Sequence, residues 1–406
     1  MRARTLITIV AALLFASAGC KQDTPEADAV SGERSLDSVE LARATGGNIG
    51  TVGQIETVAL LRGPMPTGIA VSPDNRLFVN FPRWGDRVEF TVAEIKSGRA
   101  VPYPNLAMNK AEGDPAKTFV SVQSVVVDPR GRLWALDTGS INFQPAKPGG
   151  QKMVCFDLAR NELLKTISFP PDVAYPTTYL NDVRFDMNRG TEGTAFITDS
   201  SDAGPNGIIV VDLATGQSWR RLNDHPSTKA EPNFTPNVEG QPLMARVPGR
   251  PEAYLKIGSD GIAIGGDRLY YCPLAGRRLY SVSLDALADR QRDEKSVAQD
   301  VRDESDRGFA SDGLENDPEG GGRIYLTDYE HNAIRRRSTD GTRYEILAQD
   351  PRMLWPDTLS LGPDGYLYFT ANQLHRQKKF NTGKDLRQQP YPIFRVRVDA
   401  SPRRAS

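Results

Sequence analysis

A strand–turn–strand unit that recurs along the chain constrains the fold more than any other feature. Its fullest copy begins at Gly68. Ile69 and Val71, then Leu77 and Val79, alternate with small or polar residues, the period-two pattern of two half-buried strands. Between them Pro73-Asp74-Asn75 supplies turn chemistry: proline fixes φ, and Asp and Asn accept tight or left-handed backbone. The unit returns as Val125-Val126-Val127 with Leu133-Trp134, and as Ile262-Ala263-Ile264 with Leu269-Tyr270. Weaker copies follow Asp312-Gly313 and Asp357-Thr358.

Comparable strand starts fall at Gly68, Val125, Val183, Gly261, Gly313 and Thr358. A propeller blade of four short strands takes about 40–50 residues, and insertions lengthen it. The spacing therefore predicts an all-β fold, a six-bladed β-propeller over residues 55–400. The longest gap contains residues 223–250, rich in Pro, Asn and Gly, which read as an insertion between blades. Residues 284–291 are the only stretch with helical periodicity. With no helices between the strand units, a parallel α/β sheet is excluded. Ile55-Glu56-Thr57-Val58-Ala59-Leu60 alternates and is expected to pair with Ile393-Phe394-Arg395-Val396-Arg397-Val398, closing the ring without a long free sheet edge.

Residues 1–20 read as an address. Arg2 and Arg4 precede an apolar stretch at 6–15, too short to span a bilayer comfortably. Ser17-Ala18-Gly19-Cys20 then resembles the lipobox of bacterial lipoproteins, in which Cys20 becomes the lipidated first residue. Lys21 in place of Asp implies sorting to the outer membrane, facing periplasm or exterior. The membrane is then a partner only through the lipid on Cys20. Residues 21–54 are polar and read as a flexible tether, and 401–406 as a tail. The formal net charge of −1 gives no electrostatic case for nucleic acid. Cys155 and Cys272 lie in different units; in an oxidising periplasm they could pair, but buried free thiols are the favoured reading, and with no His or second Cys beside them metal ligation is disfavoured.

The innermost strand of each propeller blade lines the central channel, and its first residues converge at one mouth. Those positions read Thr67, Gln123, Asn181-Asp182, Asp260, Asp312 and Asp357. Singly, each is an Asx-type strand start that satisfies turn backbone. As a polar, acidic set in one phase of six repeats, they read as a site. Converging carboxylates bind a cation, share protons or spread around the wall. Oxygen ligands of this kind suit Ca²⁺ or another hard divalent cation. His225, His331 and His375 have no metal-like spacing, and neither a Gly-x-Ser-x-Gly nucleophile turn nor a phosphate-binding glycine loop is present.

Phe81-Pro82-Arg83-Trp84-Gly85-Asp86, followed by Val101-Pro102-Tyr103-Pro104, resembles the major royal jelly protein/Yellow family. Further segments agree in order: Leu133-Trp134-Ala135-Leu136-Asp137-Thr138-Gly139, Leu180-Asn181-Asp182-Val183, Gly258-Ser259-Asp260-Gly261, Asp328-Tyr329-Glu330-His331-Asn332 and Trp355-Pro356-Asp357. The resemblance implies a six-bladed propeller and a channel that binds a small molecule. Insect members include dopachrome-converting and amine-binding proteins. It also implies kinship with gluconolactonase-like propellers, which hold a divalent metal with a Glu, an Asn and an Asp. Asn181 stands for that Asn and Asp260 or Asp312 for that Asp, but Thr67 occupies the Glu position and removes an anionic ligand.

Three readings follow. The first is an extracytoplasmic propeller that binds, and in a tautomerase-like step converts, a small polar or aromatic molecule. Asn181, Asp260, Asp357, Gln123, Arg83, Trp84, Asn332 and Asn372 are its candidate ligand contacts, and Asp182 and Asp312 its candidate proton-transfer groups. Arg83 and Trp84 either stack on the ligand or brace their loop, and Asn332 and Asn372 are either turn residues or ligand amides. The second is a metal-dependent lactonase with Asn181 and Asp312 as metal ligands. The third is a surface scaffold with no chemistry of its own.

Overall fold

The computed structural model describes residues 51–317 and 322–398. The expected signal segment with Cys20, nearly all of the tether and the tail lie outside the described residues.

Six four-stranded antiparallel sheets form the blades. Their innermost strands are Ile69–Val71, Val122–Val127, Leu180–Asp186, Ser259–Gly265, Leu314–Asn316 and Pro356–Leu361. Each packs against the innermost strands of the blades before and after it, and the last packs against the first, so the ring is closed. The sixth blade is completed by Ile55–Leu61, paired antiparallel with Tyr391–Arg397 through Ile55↔Val396 and Leu61↔Tyr391. The expected closure is present. Just before Ile55, Val52 bridges to the outer strand of blade five, exchanging backbone hydrogen bonds with Gln349 at 2.9 Å.

The apolar residues that set the strand period fill the spaces between blades. Trp134, Leu136 and Met153 of blade two meet Val183, Ala195 and Ile197 of blade three. Phe196 and Ile208 of blade three meet Tyr271 and Val282 of blade four. Each such large side chain contributes about 1.5–3 kcal/mol on burial. The glycine in the Asp-Gly pairs has a packing cause: a Cβ on Gly313 would lie 2.3 Å from the Asp357 carbonyl oxygen, and one on Gly261 2.3 Å from that of Asp312. Only glycine allows the next blade's backbone to come so near.

The insertion at 223–250 lies between blades three and four, as expected, and holds a short hairpin of Asn237–Val238 and Gln241–Pro242. Val238 and Leu243 join one core with Leu255, Leu374 and Phe380, so the segment is folded onto the propeller. The expected helix at 284–291 is shorter, Leu284–Ala288, and a second, Glu294–Gln299, was not anticipated. Ser283 caps the first by accepting from the Ala286 N–H, and Asp293 caps the second through Ser296. The first ends at its C-cap Asp289, whose N–H bonds to the Asp285 carbonyl, and the second starts anew at the cap Asp293. Cys155 and Cys272 are buried free thiols in different blades.

Candidate functional site

Four of the six innermost strands carry a register shift near their first residues. The shifts fall between Val122 and Ser124, Leu180 and Val183, Ser259 and Ile262, and Pro356 and Leu359. Gln123, Asn181, Asp260 and Asp357 sit on these irregularities. Such a bulge re-aims a side chain that a regular strand would send to the blade face. Here the side chains turn into a cavity of about 250 Å³ at one end of the channel, which Asp312 also lines.

At its base lie Asp260, Asp312 and Asp357, all buried. Asp260 accepts from Asn181 Nδ2 at 2.6 Å, Asp312 from Trp355 Nε1 at 2.7 Å, and Asp357 from Asn372 Nδ2 at 2.5 Å. None of the three forms an ion pair with Lys, Arg or His among the described residues. Burial, and then the charges of Asp312 and Asp357, push the Asp260 carboxyl well above the usual carboxylate range. Burial, and then the charge of Asp312, raise Asp357 likewise, against hydrogen bonds from Thr358 and Asn372. A hydrogen bond with Asp312 adds to the rise at Asp260. Burial pushes Asp312 up to about 6, and the hydrogen bonds from Trp355 and Asp260 restrain the rise.

Above the acids stands an aromatic wall. Trp84 and Phe143 stack with centroids 5.3 Å apart, and Phe143 and Tyr179 stack at 5.3 Å. Asn142 and Phe143 both have left-handed backbone, φ 53° and 56°. Strain of this kind persists where surrounding structure enforces it. The Arg83 carbonyl supplies part of that enforcement by accepting from the Asn142 N–H at 2.9 Å. Lys379 reaches the wall from the connection between Tyr366–Ala371 and Tyr391–Arg397 of blade six, with Nζ 4.9 Å from the Phe143 ring centroid and 5.0 Å from that of Phe380. Burial lowers its pKa to about 8, against a small opposing effect of Asp202.

The remaining candidates are placed elsewhere. Asp182 does not line the cavity: its carboxylate is held by Arg184 at 2.8 Å and Ser124 Oγ at 2.7 Å. Arg184 continues to the carbonyl of Leu314 and to Glu315 at 3.6 Å, joining blade three to blade five. A carboxylate spent in that way is no free base. Arg83 directs its guanidinium to the carbonyls of Val120, Val88 and Asn109, so it braces its loop, while Trp84 lines the cavity. Asn332 is a left-handed turn residue between strands, φ 52°. Asn372 stands behind Asp357 rather than in the cavity. Phe143, Tyr179 and Lys379 were not anticipated. Tyr179 directly precedes the Leu180-Asn181-Asp182 strand start, which was a usable signal; Phe143 lies in a loop and Lys379 in the short helical turn Lys378–Phe380, whose paths no strand period reports.

The residues do not fit a lactonase-type metal. Thr67 is fully buried and hydrogen-bonds the Gln123 carbonyl and Asn80, so no anionic ligand enters from blade one. Among the described residues no group of three or more His, Cys, Asp or Glu side chains is placed to hold a metal ion.

The fold and the channel site define a six-bladed propeller with a ligand-sized axial cavity. The sequence pattern of the major royal jelly protein family matches residues 120–405, and the chain belongs to that family. The protein Yellow of Drosophila madeirensis is 30% identical over 241 residues, covering 55% of this chain and 40% of that one. Yellow of Drosophila melanogaster is 29% identical over 269 residues, covering 59% and 47%. These matches span less than half the length of the relatives. Among solved structures, a luciferin-regenerating enzyme gives a TM-score of 0.50 at 13% identity, covering 87% of this chain and 97% of that one. A protein provisionally named a gluconolactonase gives 0.50 at 11%, covering 87% and 95%. At such identities the likeness concerns the fold alone.

Proposed function

We propose that the protein binds a small aromatic molecule carrying a cationic amine in the axial cavity. One observation carries this reading: three buried carboxylates share the base of an aromatic-walled cavity, and no basic side chain among the described residues pairs with them. A ligand ammonium placed there exchanges with the proton held between Asp260 and Asp312 and relieves their repulsion. The ring lies against Trp84, Phe143 and Tyr179, where stacking adds about 0.5–1.5 kcal/mol beyond burial. Asp312, titrating near neutrality, is the group suited to move a proton on a tautomerisable ring. The kinship with Yellow proteins supports a family context for this reading. Lipid attachment at Cys20, and with it a place outside the cytoplasm at the outer membrane, belongs to the same proposal; replacement by Ser is expected to release the protein from the membrane fraction.

Calorimetric titration with phenethylamine and with its neutral alcohol analogue tests the cavity. The amine is expected to bind at least tenfold tighter, and Asp260→Asn with Asp357→Asn to remove that preference. Equal binding of amine and alcohol, or an amine preference that survives both substitutions, defeats the reading.

A further inference from the structure

The hydrogen-bond chain Trp84–Tyr179–Gln123 has only one orientation that satisfies every member. The Trp84 indole nitrogen only donates, and it lies 2.7 Å from the Tyr179 hydroxyl oxygen, which therefore accepts. The single hydroxyl hydrogen of Tyr179 is then free for Gln123, whose Oε1 lies at 3.0 Å. Turning the Gln123 amide over would leave that hydrogen buried without an acceptor, at a cost of about 1–3 kcal/mol. The Gln123 oxygen is thus committed to Tyr179. Its NH₂ group makes no hydrogen bond within the described protein, and the side chain lines the cavity.

The ring order places this amide. Blade two, which carries Gln123, stands opposite blade five, which carries Asp312, with Asp260 and Asp357 in the blades on either side of Asp312. The cavity base is polarised: a fixed donor on one side and an acidic arc on the other.

We infer that Gln123 is a specificity-determining residue that selects ligands bearing an acceptor oxygen at the end opposite their amine, an inference that rests on the cavity reading above. The substrate class narrows from arylalkylamines in general to those with a ring ether, hydroxyl or carbonyl oxygen remote from the nitrogen. Tyr179 is a positioning residue, because it fixes which face of the amide meets the ligand.

The test uses three probes at neutral pH: phenethylamine, 4-methoxyphenethylamine, whose oxygen only accepts, and tyramine, whose hydroxyl also donates. The wild-type protein is expected to bind the methoxy compound about tenfold tighter than phenethylamine, one net hydrogen bond. Gln123→Leu brings that ratio to about one. Gln123→Glu presents an acceptor instead, so the methoxy compound falls below phenethylamine while tyramine keeps its affinity. Should Gln123→Leu fail to fold, Tyr179→Phe releases the amide to turn and lowers the same ratio. Equal wild-type affinity for the methoxy compound and phenethylamine, or an unchanged ratio in Gln123→Leu, overturns this inference alone. Failure of the wild type to bind any of the three overturns the cavity reading and this inference with it.

Discussion

Trp355 donates its indole N–H to Asp312 at 2.7 Å while its ring stacks on Tyr329 with centroids 4.0 Å apart. The stack holds the indole still, and the indole holds the charge of Asp312. Each of the three acids at the cavity base accepts from a neutral donor, but Asp312 is lowered by Asp260 as well as by this indole, and its pKa stops at about 6 while Asp260 and Asp357 rise well above the usual range.

Replacing Trp355 by Phe removes the donor and leaves the ionised form of Asp312 less favoured. Its pKa is expected to rise further, by about one unit, since a lost hydrogen bond to a carboxylate is of that order. The affinity of a cationic probe depends on that ionisation. Its pH profile therefore shifts to higher pH by the same amount, and carboxyl ¹³C NMR reads the titration directly. An unshifted profile would show that Trp355 only packs.

The same burial makes stability depend on pH. The folded pKa of Asp312, about 6, lies above its unfolded value, so the native state holds the proton more tightly than the unfolded chain. This contribution is present in full below about pH 4 and is lost as pH rises through about 6. Asp312→Asn cannot ionise. Urea unfolding at pH 4.5 and 7.5 is expected to show the variant gaining on the wild type between the two, by about 2 kcal/mol. A difference that stays constant across the window would mean that Asp312 titrates normally.

How much of this was legible depends on where each residue's position is set. The six-blade ring and its closure by Ile55–Leu61 follow from strand period and repeat spacing, because burial between blades enforces both. Gln123, Asn181, Asp260, Asp312 and Asp357 share one phase of the repeat, and the structure brings all five to the cavity. Asp182 lies one residue further on, in the phase of Ser124, Gly261 and Gly313, beside the shift between Leu180 and Val183, and it turns to Arg184. A bulge adds one residue to one strand, and no alternation of apolar residues announces it. The aromatic wall is less legible still: Trp84, Phe143 and Tyr179 arrive from three separate loops, and only the closed ring makes them neighbours.

Lys379 places a second titration in the same cavity. Its ammonium faces ring edges and faces rather than a carboxylate partner, and burial lowers its pKa to about 8. Above that pH it is neutral and ceases to repel a bound cation, while an alkylamine ligand of ordinary pKa stays protonated. The affinity for phenethylamine is therefore expected to rise in two steps with pH, one near 6 from Asp312 and one near 8 from Lys379. Lys379→Met removes the upper step and raises affinity at pH 7 about three- to tenfold. A single step near 6 in the wild type would show that Lys379 lies too far from the ligand to be felt.

Glu239 fastens the insertion to the cavity wall. It sits between the short strands Asn237–Val238 and Gln241–Pro242, and accepts from Arg376 Nε at 2.9 Å and Nη2 at 2.5 Å. His375 Nε2 lies 2.7 Å from the same carboxylate. Burial alone would raise Glu239, but the hydrogen bonds from His375 and Arg376 outweigh it and hold the group at about 2. Its contribution is thus present above the unfolded value and lost only as pH falls towards 2. Leu374 and Lys379, which line the cavity, flank the two residues that Glu239 grips, and Arg246 donates its backbone N–H to the Lys379 carbonyl at 2.7 Å. Glu239→Ala leaves Arg376 and His375 buried without their acceptor, at a cost of about 1–3 kcal/mol. Hydrogen exchange is expected to rise at 237–246 and 374–380 together, with weaker phenethylamine binding and the remaining blades unchanged. Exchange confined to 237–246, with binding intact, would show that the insertion covers the propeller without shaping its cavity.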